Sequence, residues 1–210
     1  MLFRSDFDPL KSFQQIGTFT KTSFVLMVNP KVPAASAQEL IALAKAQPGK
    51  LNYGAATVGT PPHILAEMFK SQAGVEIVGV NYKSSADSIQ ALLAGDVQVL
   101  VDALAAALPL INAGKVKPLL SVSSTRLKKL PDVPSAVEAN LPDYVVESWF
   151  SLVGPAGLPM PIVRRVNADL GKTMETKEVA ATFEKMGFDA MPGTPEQASA
   201  LAAKDWPRWA

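Results

Sequence analysis

The segment from Asn52 to His63 places a loop of small residues between an apolar strand and the start of a helix. The N-terminus of a helix presents unpaired N–H groups and the positive end of a dipole, and both attract anions. We therefore predict an anion-binding loop at this point. The alternative is an ordinary turn in which Thr60 only caps its own helix. The candidate residues of the loop are Gly54, Ala55, Ala56, Thr57, Gly59 and Thr60.

The spacing of Gly54 and Gly59 imitates a phosphate-binding loop, but that loop needs a lysine before its serine or threonine. Thr60 follows Gly59 directly, so the sequence excludes nucleotide hydrolysis by this mechanism. His63 is the only histidine and falls in the first helical turn, where the dipole favours a neutral imidazole that donates a hydrogen bond to a ligand. A partly buried packing role is the alternative for this side chain.

Polar residues also follow two further predicted strands. The segment Tyr82-Lys83-Ser84-Ser85 combines an aromatic ring, a cation and a serine pair that caps the next helix. Asp102 ends the strand that contains Val99 to Val101, and the carboxyl ends of strands in an open parallel sheet line the ligand crevice. An aspartate there would accept hydrogen bonds from a ligand hydroxyl or amino group. The alternatives are that Lys83 is only solvated, that the serine pair only caps the helix, and that Asp102 caps a helix.

The elements that position these residues alternate between helix and strand from Ser36 onward, with short connections. This pattern builds a parallel sheet covered by helices. We predict one doubly wound parallel α/β lobe over residues 29–148 and a second lobe from residues 1–28 and 149–210. The strand-like segments from Phe24 to Val28 and from Val145 to Val153 bracket the first lobe and predict a hinge.

Composition excludes several classes of function. Twenty basic and nineteen acidic residues give a net charge of +1, so no overall field would attract nucleic acid. The absence of cysteine excludes disulfides, thiolate metal sites and cysteine nucleophiles. The sequence also contains no second histidine, no Gly-x-Ser-x-Gly motif that would hold a nucleophilic serine, and no residue spacing typical of metal ligands. We therefore predict no catalytic residue, no metal and no cofactor, with an enzyme on this fold as the remaining alternative.

Seven segments in the same order resemble one known family: 7–13, 28–30, 48–54, 130–134, 148–150, 154–157 and 193–197. They are similar to the substrate-binding receptors of tripartite tricarboxylate transporters, including the group called Bordetella uptake proteins. The resemblance covers essentially the whole chain.

This resemblance implies an α/β, two-lobed periplasmic binding protein-like (type II) fold that closes around a small organic carboxylate and hands it to membrane permease subunits. It implies that the loop from Gly54 to His63, the loop from Tyr82 to Ser85, and Asp102 lie at the cleft. It further implies a periplasmic protein, which we expect to be monomeric. A module that binds a carboxylate and signals to a membrane partner is the alternative.

The sequence departs from the family at several of these positions. Family members commonly have glycine where Ser84 stands, a serine-rich loop where Ala55 and Ala56 stand, and asparagine where Ala103 stands. They also begin with a signal peptide and a ligand-gripping segment that nothing before Asp6 resembles. We therefore expect an N-terminally truncated chain whose full-length form carries a signal peptide.

Overall fold

A computed structural model describes Asp8 and residues 10–209, with side chains up to residue 207. The described residues form eight strands and seven helices that divide into two compact units. One unit runs from Ser23 to Glu147, and the other takes the chain on either side of it. We call them the central unit and the outer unit.

The central unit is a five-stranded sheet with helices between its strands. Its elements are β2 (Phe24–Val28), α1 (Ala37–Ala46), β3 (Asn52–Ala55), α2 (Pro61–Ala73), β4 (Val78–Asn81), α3 (Ser85–Ala94), β5 (Val99–Ala103), α4 (Leu104–Asn112) and β6 (Lys117–Ser121). The strand order is β4-β3-β5-β2-β6. β3 is parallel to β4 and β5, whereas β2 is antiparallel to β5 and β6.

Local sequence explains where these helices begin and end. The Ser36 hydroxyl accepts a hydrogen bond from the Glu39 N–H at the start of α1, and the Ser84 hydroxyl does the same for Asp87 at the start of α3. Gly74 and Gly95 adopt left-handed backbone conformations just past α2 and α3, where the backbone N–H of each closes the helix. Side-chain caps thus mark the starts of α1 and α3, and left-handed glycines mark the ends of α2 and α3.

The sheet is not entirely parallel, because β2, which was predicted to lie outside this lobe, lies between β5 and β6 and is antiparallel to both. The predicted boundary at residue 28 also differs from the structure, because Phe24 to Val28 belong to the central unit. All five residues of β2 are at most 4% exposed. A strand that is apolar on both faces is stable only inside a sheet that helices cover on both sides, which explains its position.

Two hydrophobic clusters lie on opposite faces of this sheet. The first contains Leu26 of β2 with Leu65 and Phe69 of α2, and the second contains Met27 of β2 with Leu92 of α3. Successive residues of a strand point to opposite faces, so β2 contributes to both clusters. α2 and α3 therefore cover different faces of the sheet.

The outer unit is a three-stranded antiparallel sheet with three helices. Its elements are β1 (Phe13–Thr22), β7 (Ser148–Pro155), α5 (Met160–Glu175), α6 (Lys177–Lys185), β8 (Asp189–Ala190) and α7 (Pro195–Trp209). The strand order is β7-β1-β8. Four phenylalanine rings pack together with centroid distances of 5.6 to 6.4 Å, and these are Phe19, Phe150, Phe183 and Phe188.

Gly17 of β1 sits where three segments of the outer unit meet. A Cβ atom at this position would lie 2.6 Å from the Gly193 carbonyl oxygen and would also overlap the Asn167 side chain, which donates a 2.9 Å hydrogen bond to that same oxygen. The absence of a side chain therefore allows β1, α5 and the segment before α7 to approach closely.

We predict that Gly17→Ala lowers the unfolding free energy of the outer unit by about 1–3 kcal/mol, because the added methyl overpacks this junction. Urea denaturation followed by tryptophan emission reports this unit selectively, since Trp149, Trp206 and Trp209 all belong to it. Gly171→Ala is the matched control, because a Cβ there meets no neighbour within 4 Å and the helix would gain about 0.5–1 kcal/mol. Equal effects of the two substitutions would contradict this packing argument.

Candidate functional site

The carboxyl ends of three strands lie side by side at one edge of the central sheet. β3 lies between β4 and β5, and all three run in the same direction. The Tyr82 N–H, just after β4, donates a 2.8 Å hydrogen bond to the Ala55 carbonyl at the end of β3. The structure therefore places all three predicted segments, namely the loop after β3, the Tyr82-to-Ser85 segment and Asp102, at this edge.

α2 and α3 begin at this edge on opposite faces of the sheet. α3 packs beside Gly54 of β3: an added Cβ would lie 3.5 Å from the Ser88 Cβ, an ordinary contact, and a tighter 3.1 Å from Val97 Cγ2 just before β5. The Ser88 hydroxyl in turn donates a 2.8 Å hydrogen bond to the Ser85 carbonyl, which holds the first turn of α3 in place.

A hydrogen bond between Ser85 and Asp102 crosses the end of β3. The Ser85 hydroxyl donates to Oδ2 of Asp102. Ser85 begins the helix after β4, Asp102 lies in β5, and β3 lies between those two strands. The pair is therefore adjacent to the point where the chain leaves β3 at Ala55 and Ala56.

The Asp102 carboxylate is held almost entirely by the protein. Its side chain is only 4% exposed, Oδ2 accepts from Ser85, and Oδ1 accepts from the Ala103 N–H at 2.7 Å. Burial raises the pKa of this carboxyl above its ordinary value, and the two hydrogen bonds offset part of that effect. Asp102 thus orients its neighbours and leaves little of its own surface for a ligand.

The loop after β3 is a compact turn that uses the Thr60 hydroxyl internally. The Thr60 hydroxyl and N–H both donate to the Thr57 carbonyl oxygen, at 2.8 and 3.1 Å. Thr60 makes no side-chain capping bond to its own helix. Gly59, with φ of +87°, donates its N–H to Nδ1 of His63 at 3.4 Å. The histidine therefore supports the loop on the first turn of α2.

Two prolines reduce the number of hydrogen-bond donors at the start of α2. Pro61 and Pro62 occupy the first two helical positions and carry no N–H. Other backbone N–H groups at this edge make no hydrogen bond within the described part of the chain. They include those of Thr57, Val58, His63, Ser85 and Ala86. The donors that remain come from the loop and from α3 as much as from α2.

Beside His63 lies a cluster of charged and aromatic groups that stabilises α2. The Tyr53 hydroxyl donates to Glu67 at 2.5 Å, and Lys70 donates to the same carboxylate at 2.8 Å. Burial raises the pKa of Glu67, but the hydrogen bonds from Lys70 and Tyr53 outweigh it, so the net shift is downward. The His63 ring is 6.4 Å from that of Tyr53. Because both partners of the carboxylate are internal, this cluster is structural.

The predicted residues differ in exposure. Gly54 and Ala55 are buried in β3. Thr57, Lys83 and Ser84 are exposed. The remaining predicted residues are half-buried, and these are Ala56, Gly59, Thr60, His63, Tyr82 and Ser85.

Two features of this edge were not predicted from the sequence. The Val58 N–H was not singled out, although its place in the loop was readable. The second is the pair of missing N–H groups at Pro61 and Pro62, which follow directly from the residue type. Over the described residues, no group of three or more metal-ligating side chains is close enough to hold a metal ion.

Comparison with known proteins shows which family this chain belongs to. Residues 1–210 match the family described as the tripartite tricarboxylate transporter family receptor. BugT of Bordetella pertussis is 31% identical over 186 residues, which are 89% of this chain and 57% of BugT. The chain thus spans little more than half the length of such relatives. It belongs to the tripartite tricarboxylate transporter receptor family.

Solved structures have the same fold. The structure of R. palustris Rpa4515 with adipate matches all of this chain and 70% of its own, with a TM-score of 0.89 and 30% identity. MatC from Rhodopseudomonas palustris with bound malate matches 99% of this chain and 72% of its own, with a TM-score of 0.86 and 28% identity. The α/β periplasmic binding protein fold predicted from the sequence is confirmed.

Family members are periplasmic binding proteins. Within the described residues, no helix combines the length and the apolar character needed to span a membrane.

We predict that Asp102→Asn becomes more stable relative to the original protein as the pH rises from about 4 to about 7. The raised pKa means that the folded state binds more protons than the unfolded state between their two pKa values, so the ionising carboxyl makes folding less favourable as the pH rises through that window. Asparagine removes this contribution. Urea denaturation followed by circular dichroism at both pH values measures it.

Asp132→Asn is the control for this experiment, because Asp132 is an exposed aspartate of the same unit. It removes one carboxyl group from the surface of that unit and gives the reference for the change caused by Asp102→Asn. If Asp102→Asn showed no more pH dependence than this control, burial of the Asp102 carboxyl would not perturb its ionisation.

Proposed function

We propose that this protein is an extracytoplasmic solute-binding receptor that captures a small organic carboxylate and delivers it to the membrane permease subunits of a tripartite tricarboxylate-type transporter. The observation that carries the proposal is the set of unpaired backbone N–H groups at the shared carboxyl edge of β3, β4 and β5. Open α/β sheets bind ligands outside this edge.

Backbone donors for a carboxylate are available on both sides of the end of β3. The Thr57, Val58 and His63 N–H groups come from the α2 side, and the Ser85 and Ala86 N–H groups come from the α3 side. A carboxylate has two oxygens with about four lone-pair sites, so several donors can bind it at once. Hydrogen bonds to an ionised acceptor are roughly twice as strong as neutral ones.

Attraction of the anion is local in this proposal, because the net charge of the whole chain is only +1. The helix dipole of α3 contributes a positive end beside Ser85. The exposed Lys83 adds a cation next to the same turn. These two features favour an anion at the edge without giving the protein a general affinity for polyanions.

Two relatives of known structure support a carboxylate as the class of ligand. Rpa4515 was determined with adipate and MatC with bound malate, and each is at least 28% identical to this chain. In the proposal, the central and outer units are the two lobes of the receptor, the protein acts in the periplasm, and its partners are the ligand and the permease.

We predict that at least one small carboxylic acid raises the unfolding free energy of the purified protein. A ligand at about 100 times its dissociation constant adds about 2.7 kcal/mol, since it binds only the folded state. A thermal-shift screen of dicarboxylates, beginning with adipate and malate, measures this. The neutral diamides of the same acids are matched controls and should have no effect. A complete screen of acids without any stabilisation would overturn the proposed function.

We predict that Thr60→Val weakens carboxylate binding by about 1–3 kcal/mol, because it removes the hydroxyl that fixes the turn presenting the Thr57 and Val58 N–H groups. Isothermal titration calorimetry with an acid found in the screen measures the change.

Thr182→Val is the matched control for Thr60→Val. The Thr182 hydroxyl donates to the Glu178 carbonyl at 2.8 Å, the same kind of bond as that of Thr60, but in α6 of the outer unit. The control should bind the acid with unchanged affinity. Unchanged affinity in Thr60→Val, with the fold intact, would remove Thr60 from the binding site.

Delivery to a transporter is tested in cells. Deleting the gene should abolish uptake of the radiolabelled acid at low external concentration, and expressing the full-length gene should restore it. Normal uptake by the deletion strain would argue for a sensing role and against delivery.

A further inference from the structure

Hydrogen bonds join the segments at the edge of the central sheet that lies opposite the candidate site. The Asn29 N–H, just after β2, donates to the Gln98 carbonyl at 3.0 Å, and the Gln98 N–H donates to the Asn52 carbonyl of β3 at 2.9 Å. The Lys117 ammonium group, at the start of β6, donates to the Val32 carbonyl. Four of the five strands are therefore connected here. We call this surface the amino edge, because β3, β4 and β5 begin there.

A cavity of about 340 Å³ opens in the amino edge. Apolar side chains form much of its wall, including Val32, Leu43 and Leu51. The lining polar side chains that are not exposed, Asn29 and Gln98, donate to backbone carbonyl oxygens of the protein at 2.6 and 3.0 Å. Because these groups are already engaged, the interior of the cavity suits an apolar group better than a charged one.

Exposed lysines lie along the same edge, in four different segments of the chain. These are Lys31, which lines the cavity, Lys45 in the last turn of α1, Lys50 before β3 and Lys115 before β6. Within the described residues, none of the four ammonium groups makes an ion pair. All four are therefore available to an anionic partner.

The excess of positive charge is local to the amino edge. In the segments that enter β4 and β5, the exposed Glu76 and Asp96 offset two of the lysine charges. Over the whole central unit, ten basic and ten acidic residues cancel. An anionic partner is thus attracted to this edge and not to the unit as a whole.

The spacing of the lysines favours a protein segment over a small acid. Lys50 precedes β3 and Lys115 precedes β6, and these strands are three positions apart in the sheet. Neighbouring strands are about 4.8 Å apart, so the two segments are separated by about 14 Å. An extended chain advances about 3.3 Å per residue, so a stretch of about five residues spans this distance.

We propose that the amino edge is a docking surface for the permease, and that the permease segment it fits carries carboxylates on both sides of an apolar side chain. The apolar side chain enters the cavity, and the carboxylates pair with the surrounding lysines. A desolvated apolar anchor with a polar rim is typical of specific protein interfaces. This inference rests on the proposed function and adds to it the contact between receptor and transporter.

The test reverses three charges of the amino edge together, as Lys31→Glu, Lys50→Glu and Lys115→Glu. The three residues are exposed and lie outside the helices and strands, so the fold should be kept. In the deletion strain, the full-length gene with these changes should restore uptake of the radiolabelled acid at a rate at least about tenfold below that of the original gene. The purified variant should bind the acid with unchanged affinity in isothermal titration calorimetry.

Lys177→Glu, Lys185→Glu and Lys204→Glu together are the matched control. These lysines are exposed, belong to the outer unit, and give the same change in net charge. The control should support uptake within about twofold of the original rate. An equal loss of uptake in both triple variants would assign the effect to net charge and contradict docking at the amino edge.

Gln47→Trp tests the cavity without changing the charge. Gln47 is exposed and lines the cavity, so an indole ring there would fill the space that the apolar side chain needs. Uptake should again fall by about tenfold, with unchanged affinity for the acid. Gln90→Trp, at an exposed position of α3, is the control and should leave uptake unchanged.

The remaining outcomes separate the proposals. Original uptake rates in either amino-edge variant would overturn the docking surface and leave the receptor function standing. A membrane is the other candidate partner, tested by sedimentation with vesicles of equal parts phosphatidylcholine and phosphatidylglycerol. If the original protein sedimented with them and the charge-reversed variant did not, the edge would bind anionic lipid and the docking proposal would be wrong. If no acid binds the original protein, the receptor function is overturned, and the inference with it.

Discussion

The pairing of β2 with β5 is the constraint on which the rest of the central unit depends. β2 runs against its neighbours, is at most 4% exposed, and contributes side chains to the hydrophobic clusters on both faces of the sheet. Its register places Val25 opposite Asp102 and Phe24 opposite Ala103. β3 pairs with β5 only at Val99 and Leu100, so the end of β5 is held by β2. The position of the carboxyl edge of the sheet therefore depends on β2.

Much of the central unit was predictable from local sequence. The serine caps of α1 and α3 and the glycines after α2 and α3 mark helix ends by their hydrogen bonding and backbone conformation, independently of the rest of the chain. The direction of β2 was not predictable in this way. A run of five apolar residues is the same in a parallel and an antiparallel strand, and its partners, β5 and β6, are more than seventy positions away along the chain.

The candidate site shows the same division between local and long-range information. The alternation of helices and strands predicted that each of the three segments follows a strand. Parallel pairing of those strands predicted that the segments share one edge of the sheet. The Ser85–Asp102 bond depends on the strand order β4-β3-β5, which brings together residues seventeen positions apart across the end of a third strand. Sequence periodicity contains no information on that order.

The location of α2 and α3 on opposite faces of the sheet has an evolutionary consequence. Each helix is anchored in a separate hydrophobic cluster, one with Leu65 and Phe69 and the other with Leu92. A core substitution that tilts one helix moves the donors of that helix and leaves those of the other in place. The two sides of the edge can therefore diversify independently during evolution.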